Sequence, residues 1–97
     1  MKRRSILAKA ARDLAEIEKY VSEDNPEAAA AIAVRLRKSF DLITARPELG
    51  RLSDISNIRE WSVPGLPYVI PYRVRGDVVE ILRVFHTSRQ RPSKWIG

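Results

Sequence analysis

Hydrophobic residues in the first half of the chain recur three and four positions apart, which is the spacing of one face of an α-helix. This pattern predicts a first helix over residues 9–22 and a second over residues 26–45. Asn25 can cap the second helix and Pro26 suits its first turn, while the residue before Pro47 avoids the helical region and ends it. The apolar positions that carry the pattern are Ala11, Leu14, Ile17 and Val21, then Ile32, Leu36, Phe40 and Ile43.

The remaining segments predict β-strands. A short strand is predicted within residues 1–7, and three more over residues 58–63, 68–74 and 78–85. The last three are joined by short turns and should form an antiparallel meander, with the first strand at an edge or paired with one of them. The helical hairpin must bury its apolar face on this sheet. The order strand, helix, helix, strand, strand, strand therefore predicts an α+β fold in one domain over residues 1–97, with the other sheet face partly free.

One residue conflicts with this assignment. Pro71 has no amide N–H to donate to a ladder, so it should face an unpaired side of its strand or lie at a bulge. Residues 47–57 are predicted as turn and loop, and residues 64–67 and 75–77 as tight reversals. The strand over residues 78–85 has apolar side chains on both faces, so both faces should be partly covered.

Composition places the chain among soluble globular proteins, with 44% hydrophobic and 31% charged residues in a length of 97. The absence of cysteine excludes disulfides and thiolate metal sites and fits a reducing compartment. Residues 1–4 are basic, as in a signal peptide, but the apolar stretch after them is too short, and nothing reaches the length of a membrane span. A cytoplasmic protein is therefore predicted.

The net charge of +6 is unevenly distributed. Residues 1–50 carry ten basic and eight acidic side chains, whereas residues 51–97 carry eight basic and four acidic ones. The segment from His86 to Trp95 is basic and aromatic and contains no acidic residue. Such an imbalance favours a polyanion or an acidic protein as partner, although a solvated surface would carry the same charge.

Candidates for catalysis are few. His86, the only histidine, could be a general acid or base, and Arg73 and Arg83 could hold a phosphate. The alternative for His86 is a hydrogen bond to the loop where its strand ends. The alternative for the two arginines is cross-strand pairing, for example with Glu80 or Glu60.

The C-terminal tail offers similar alternatives. Arg89 and Arg91 could contact a phosphate or be solvated, and Trp95 could stack on a partner or pack on the core. The sequence has no glycine-rich phosphate loop, Walker-type lysine or carboxylate cluster, so no metal and no cofactor are predicted.

Four segments in this order resemble the ParE branch of the RelE/ParE superfamily, the toxin halves of type II toxin–antitoxin pairs. The resemblance covers nearly the whole chain and implies the fold predicted above, a helical hairpin on a small antiparallel sheet. The segments are Glu23-Asp24-Asn25-Pro26, Arg46-Pro47-Glu48-Leu49-Gly50-Arg51, Tyr68-Val69-Ile70-Pro71-Tyr72-Arg73-Val74 and Val79-Glu80-Ile81-Leu82-Arg83-Val84-Phe85-His86.

The resemblance implies one of two activities. RelE-like members cleave messenger RNA in the ribosomal A site, whereas ParE-like members inhibit DNA gyrase and are not known to use a nuclease mechanism. With the register set on the two tyrosines of residues 68–74, the basic positions of the RelE pattern fall on Glu60, Ser62 and Val69. Arg89 matches the late arginine of that pattern, and a tryptophan stands at its C-terminal tyrosine position. Most of the RNA-cleaving set is therefore missing.

The resemblance thus implies a ParE-like toxin that blocks gyrase by binding, without catalysis, and is neutralised by a cognate antitoxin. The antitoxin is expected to lay an extended or helical segment, acidic and apolar, along the free parts of the sheet and the hairpin. The residues predicted to contact the target are Arg83, His86, Arg89, Arg91 and Trp95.

Two alternatives stay open. One is a ribosome-dependent endoribonuclease, for which Arg59 or Arg73 could supply charge from shifted positions. The other is a degenerate, nontoxic binding module. The residues that would carry the nuclease activity are Arg73, Arg83, His86 and Arg89.

Overall fold

A computed structural model describes residues 2–88 of the chain. Strand β1 (Arg3–Ile6) leads into helix α1 (Ala8–Asp24), and helix α2 (Pro26–Ala45) follows after one residue. A 3-10 turn (Pro47–Leu49) connects α2 to the remaining strands. These are β2 (Arg51–Leu52), β3 (Arg59–Ser62), β4 (Tyr68–Arg75), β5 (Val78–Ile81) and β6 (Phe85–His86).

The predicted α+β fold is confirmed, with two local differences. Residues 51–52, predicted as loop, pair with β3 as a two-residue strand. The strand predicted over residues 78–85 is interrupted, because β5 ends at Ile81 and β6 begins at Phe85.

The second helix begins and ends where the sequence predicts. The Asn25 side chain accepts a hydrogen bond from the amide of Ala28 at 3.0 Å, and Pro26 and Glu27 occupy the first turn. At the other end the amide of Arg46 donates to the carbonyl of residue 42, and the next residue is proline. Local chemistry is therefore sufficient to set both ends of α2.

The strands form one sheet in the order β1-β5-β4-β3-β2, with β6 paired to β4. β1 lies at an edge, as predicted, and runs parallel to β5, while the other pairs are antiparallel. Both helices pack on one face. The core between helices and sheet contains Ala10, Leu36, Phe40, Ile43, Val63, Tyr68, Ile70, Tyr72, Val79, Ile81 and Val84.

A smaller apolar cluster lies apart from this core. Ile58 and Leu82 are buried there, and Leu7, Ile55 and Phe85 pack against them. The sheet face away from the helices is therefore partly covered, as predicted. Within residues 2–88, neither helix combines the length and apolarity needed to cross a membrane.

Pro71 lies opposite the interruption between β5 and β6. β4 pairs with β5 from Tyr72 onward and with β6 only at its first two residues. The carbonyl of Pro71 accepts from the amide of Leu82 at 3.0 Å. Because the N–H and C=O of one strand residue point the same way, the missing N–H of Pro71 faces residues 82–84, which form no ladder. The predicted location at an unpaired side is confirmed.

A buried tyrosine joins β4 to the turn after α2. The Tyr72 hydroxyl donates to the carbonyl of Pro47 at 2.6 Å and accepts the amide N–H of Gly50 at 2.8 Å. Burial raises the pKa of this phenol above its ordinary value. A Cβ atom at Gly50 would lie 2.7 Å from ring atom Cε1 of Tyr72, so only glycine leaves room for the ring.

Candidate functional site

An aspartate on the first helix holds the interruption between β5 and β6. Asp13 accepts hydrogen bonds from Nε and Nη2 of Arg83 at 2.8 and 3.0 Å, and from the amide of Val84 at 2.9 Å. The side chain of Asp13 is 13% exposed and that of Arg83 is 23% exposed. The hydrogen bond to Asp13 raises the pKa of Arg83 above its ordinary value. The guanidinium also lies 4.5 Å from the ring centre of Phe85.

His86 ends β6 with its ring held by two neighbours. Its Nδ1 atom accepts the amide N–H of Ser88 at 3.2 Å and lies 2.7 Å from the Ser88 hydroxyl oxygen. Tyr68 meets the imidazole edge-on, with ring centres 5.4 Å apart and planes at 88°. An Nδ1 that accepts the amide proton leaves the proton of the neutral ring on Nε2. The predicted hydrogen bond to the loop at the end of the strand is confirmed.

A cleft of about 280 Å³ opens between α1 and the segment that carries His86. Two carboxylates and three aromatic rings contribute to its lining, and one of the carboxylates, Asp13, is already held by Arg83 and the amide of Val84. The lining residues are Asp13, Glu16, Ile17, Tyr20, Val21, Tyr68, Val84, His86 and Ser88.

Arg73 on β4 and Arg83 in the interruption between β5 and β6 each form an ion pair with a carboxylate. Nε of Arg73 donates to Glu80 across the β4–β5 ladder at 2.7 Å, so the predicted cross-strand pair is confirmed. Arg83 differs from the prediction, since its partner is Asp13 of α1 and not a carboxylate of the sheet. The two guanidinium groups are therefore bound to different elements.

The three strand positions that align with basic residues of an RNA-cleaving toxin, Glu60, Ser62 and Val69, carry no positive charge. Glu60 is 8% exposed and accepts from Arg51 at 3.2 Å. Val69 is buried, and Ser62 is exposed. Arg59, which could have supplied charge from a shifted position, donates 2.7 Å to a backbone carbonyl just after the 3-10 turn.

Three of the predicted contact residues, Arg89, Arg91 and Trp95, lie outside the described residues. Of the set, the structure thus positions only Arg83 and His86. Between residues 2 and 88, no three histidine or acidic side chains are grouped so that they could hold a metal ion.

The family model described as ParE toxin of type II toxin-antitoxin system, parDE, matches residues 5–91, which is most of the chain. This chain belongs to the ParE toxin family. It is accordingly the toxin of a ParE/RelE-type toxin–antitoxin system, and the family implies an antitoxin as its partner. The resemblance proposed from the four sequence segments is confirmed.

Similar proteins match this chain over most of its length. The chain is 40% identical to the Y4kP protein of Sinorhizobium fredii over 84 residues, which is 87% of this chain and 86% of that protein. It is 38% identical to toxin RelE2 of Caulobacter vibrioides over 81 residues, covering 84% and 90%. A structure titled "Chromosomal ParDE TA system from P. aeruginosa" superposes with a TM-score of 0.81 at 26% identity, covering 91% of this chain and 98% of that chain.

Two residues that organise this ParE-family toxin were not predicted as important. The helical pattern places Asp13 outside the apolar face of the first helix, and Tyr72 enters as a possible proton donor or acceptor and as one of the two tyrosines that set the register of the resemblance. The signal for Tyr72 was present, because a glycine after a helix-ending proline suggests a close approach. No signal in the sequence indicates that Asp13 meets Arg83, since their pairing depends on the tertiary fold.

Proposed function

We propose that this ParE-family toxin inhibits DNA gyrase by binding it and stalling a DNA-cleaved intermediate, with no chemical step performed by the toxin. The observation that carries the proposal is Glu60. In the register set on Tyr68 and Tyr72, a buried carboxylate held by Arg51 stands at a position that the RNA-cleaving pattern gives to a basic side chain. A negative charge at this point repels the phosphate of an RNA substrate.

The engaged arginines support the same proposal. Phosphoryl transfer requires cations that are free to stabilise charge developing on the phosphate. Arg73 is bound by Glu80 and Arg83 by Asp13, so a nuclease site built from them would have to give up two ion pairs. A binding mechanism leaves both pairs intact.

The proposed contact surface begins at the β5–β6 interruption and continues into the tail. Arg83 and His86 form its described part, and His86 lines the cleft beside α1. Its other proposed residues are Arg89, Arg91 and Trp95. The proposal includes a cognate antitoxin that neutralises the toxin. It also includes a cytoplasmic location, because DNA gyrase is the proposed target.

Two assays with purified toxin test the proposal. In a gyrase supercoiling assay, we expect loss of supercoiling and accumulation of cleaved DNA. In a translation reaction with a reporter message, we expect the message to stay intact. Cleaved message together with normal supercoiling would overturn the proposal and establish the endoribonuclease alternative. Inactivity in both assays, with antitoxin binding retained, would identify a nontoxic binding module.

Matched variants locate the contact surface. His86→Ala and Arg91→Ala should weaken gyrase inhibition, while Arg37→Ala, which changes an exposed arginine on α2, should not. The Arg37 variant removes the same charge as the Arg91 variant and so controls for net charge. Equal loss of inhibition in the Arg37 and Arg91 variants would contradict a specific role for the tail.

A further inference from the structure

A hollow of about 300 Å³ lies where α2 meets the turn between β3 and β4. Leu42, Trp61 and Val63 give it an apolar lining, and Leu42 is 39% exposed. Arg35 and Lys38 add two positive charges, and none of the described residues that line the hollow is acidic. This combination suits an anionic ligand that also has an apolar or aromatic part.

The protein does not neutralise these two charges. None of the ion pairs within residues 2–88 involves Arg35 or Lys38. Elsewhere on the surface the basic side chains have acidic partners, as where Arg4 lies 2.6 Å from Asp41. A spacing of three places Arg35 and Lys38 next to each other on one face of α2. Their charges therefore add at the hollow and are available to a ligand.

The turn between β3 and β4 holds the guanidinium of Arg35 in place. Its Nη2 atom donates to the carbonyl of Pro64. Gly65 permits this approach, since a Cβ atom there would lie 2.7 Å from Nη2, and φ at Gly65 is 75°, a conformation that glycine adopts readily. A guanidinium carries several N–H donors in a planar fork, so one bond to a carbonyl leaves others for a phosphate.

The indole of Trp61 is also held in place. Its Nε1 atom donates to the hydroxyl of Ser39 at 3.1 Å, and Ser39 is 5% exposed. The ring is half-buried and packs against the core. Because its polar atom is already bonded, the indole has only apolar contact and stacking to offer a ligand in the hollow. Stacking of this kind accepts any nucleic-acid base.

We propose that this hollow binds a single strand of DNA, with phosphates on Arg35 and Lys38 and a base against Trp61. The inference rests on the proposed function, in which the strand belongs to the DNA that gyrase has cleaved. Proteins that bind single strands without sequence preference combine a basic groove with an aromatic platform. A DNA strand carries a phosphate beside every base, so neighbouring nucleotides supply both kinds of contact.

Fluorescence anisotropy with a labelled oligodeoxythymidine tests the site on the full-length toxin, without gyrase. Arg35→Gln and Lys38→Gln should each weaken binding and lower the slope of log K against log salt concentration by about 0.7, the value for one phosphate contact on a single strand. Arg37→Gln removes the same charge from the side of α2 that faces the groove with α1, and should leave the slope unchanged. All three side chains are exposed, so the fold should be retained. Equal changes in the three variants, or no DNA binding, would overturn the proposal.

Tryptophan emission reports the contact with the base. The chain has two tryptophans, so in Trp95→Phe the emission comes from Trp61 alone. The oligonucleotide should quench this emission, and Lys38→Gln in the same background should shift the quenching to higher DNA concentrations. Binding of DNA that leaves the emission of Trp61 unchanged would place the strand elsewhere and contradict the proposal.

Two other ligands test the choice of DNA. A polyglutamate peptide of equal net charge should bind at least about 10-fold more weakly, because it offers no ring to the indole. Equal affinity for the peptide would assign the hollow to an acidic protein segment instead. Tighter binding of an oligouridine of the same length would assign it to RNA.

The supercoiling assay separates this inference from the proposed function. Arg35→Gln and Lys38→Gln should reduce gyrase inhibition, and Arg37→Gln should not. If the native toxin and both variants inhibit gyrase equally, the DNA site is refuted and the proposed function stands. If the toxin binds DNA at the hollow as described but does not inhibit gyrase, the proposed function fails and the DNA site stands.

Discussion

Removing the Asp13 carboxylate should destabilise the toxin more than removing any other exposed or half-buried carboxylate of α1. Asp13→Ala deletes three hydrogen bonds and leaves a guanidinium and a backbone amide without their partner. The side chain of Arg83 is 23% exposed, so water can recover part of its solvation.

The size of the effect follows from these contacts. Breaking a fully buried ion pair costs about 3–5 kcal/mol, and the partial exposure of Arg83 lowers our expectation to about 2–3 kcal/mol. For a domain of this length that loss corresponds to a fall in Tm of roughly 10 °C. Asp13→Asn keeps one acceptor oxygen but loses the charge, so it should cost about 1–2 kcal/mol.

Urea unfolding measures the change, with the m-value as a check that the transition stays two-state. Glu16→Ala, an exposed carboxylate three residues later, is the matched control. In a double-mutant cycle, the coupling between Asp13→Ala and Arg83→Ala should be about 1–3 kcal/mol. A coupling near zero, or equal losses for Asp13→Ala and Glu16→Ala, would refute this reasoning.

The remaining predictions concern the two ends of α2, the turn that follows it and the Asn25 cap at its start. Gly50→Ala should lower the free energy of unfolding by about 1–3 kcal/mol, because the added Cβ atom clashes with the Tyr72 ring. Backbone strain adds nothing, since φ at this glycine is −68°, a value that alanine adopts freely. Burial raises the pKa of Tyr72, so the folded state keeps the phenol proton after the unfolded state loses it. The stability that the Tyr72 phenol contributes is therefore complete below about pH 10 and declines above it. When unfolding is measured between about pH 8 and 11, the free energy of unfolding should fall less with rising pH in Tyr72→Phe than in the native chain. Asn25→Ala should cost about 1 kcal/mol and Asn25→Ser little, since serine also accepts from the Ala28 amide; equal unfolding free energies for the two would contradict the cap.

The sequence predicted those parts of the fold that short-range chemistry determines. Helix α2 has the predicted bounds because Asn25, Pro26 and Pro47 act on their immediate neighbours. The two-residue strand β2 was missed because it exists only through its pairing with β3, where Arg51 meets Glu60. A segment of two residues carries no periodicity from which a strand can be recognised.

The candidate site was less predictable than the fold, for the same physical reason. The sequence indicated that His86 ends a strand, and this depends on residues beside it. It also offered a cross-strand pair as one of two roles for Arg73, and the structure has that pair with Glu80 across the ladder that the short turn between β4 and β5 sets. The partner of Arg83 lies 70 residues away on a helix, and no local pattern encodes which helix side chain faces the sheet at that point.

The direction of the C-terminal segment results from constraints on both sides of the β5–β6 interruption. Because Pro71 has no N–H, the ladder between β4 and β5 can end opposite it without an unpaired donor on β4. Two amides of the interruption have partners outside a regular ladder. The amide of Leu82 donates to the carbonyl of Pro71, and the amide of Val84 donates to the carboxylate of Asp13. The chain then rejoins β4 at β6 and brings His86 against the ring of Tyr68. Substitutions at Asp13 should therefore alter the position of β6 and of His86, and so affect the proposed target contact without touching it.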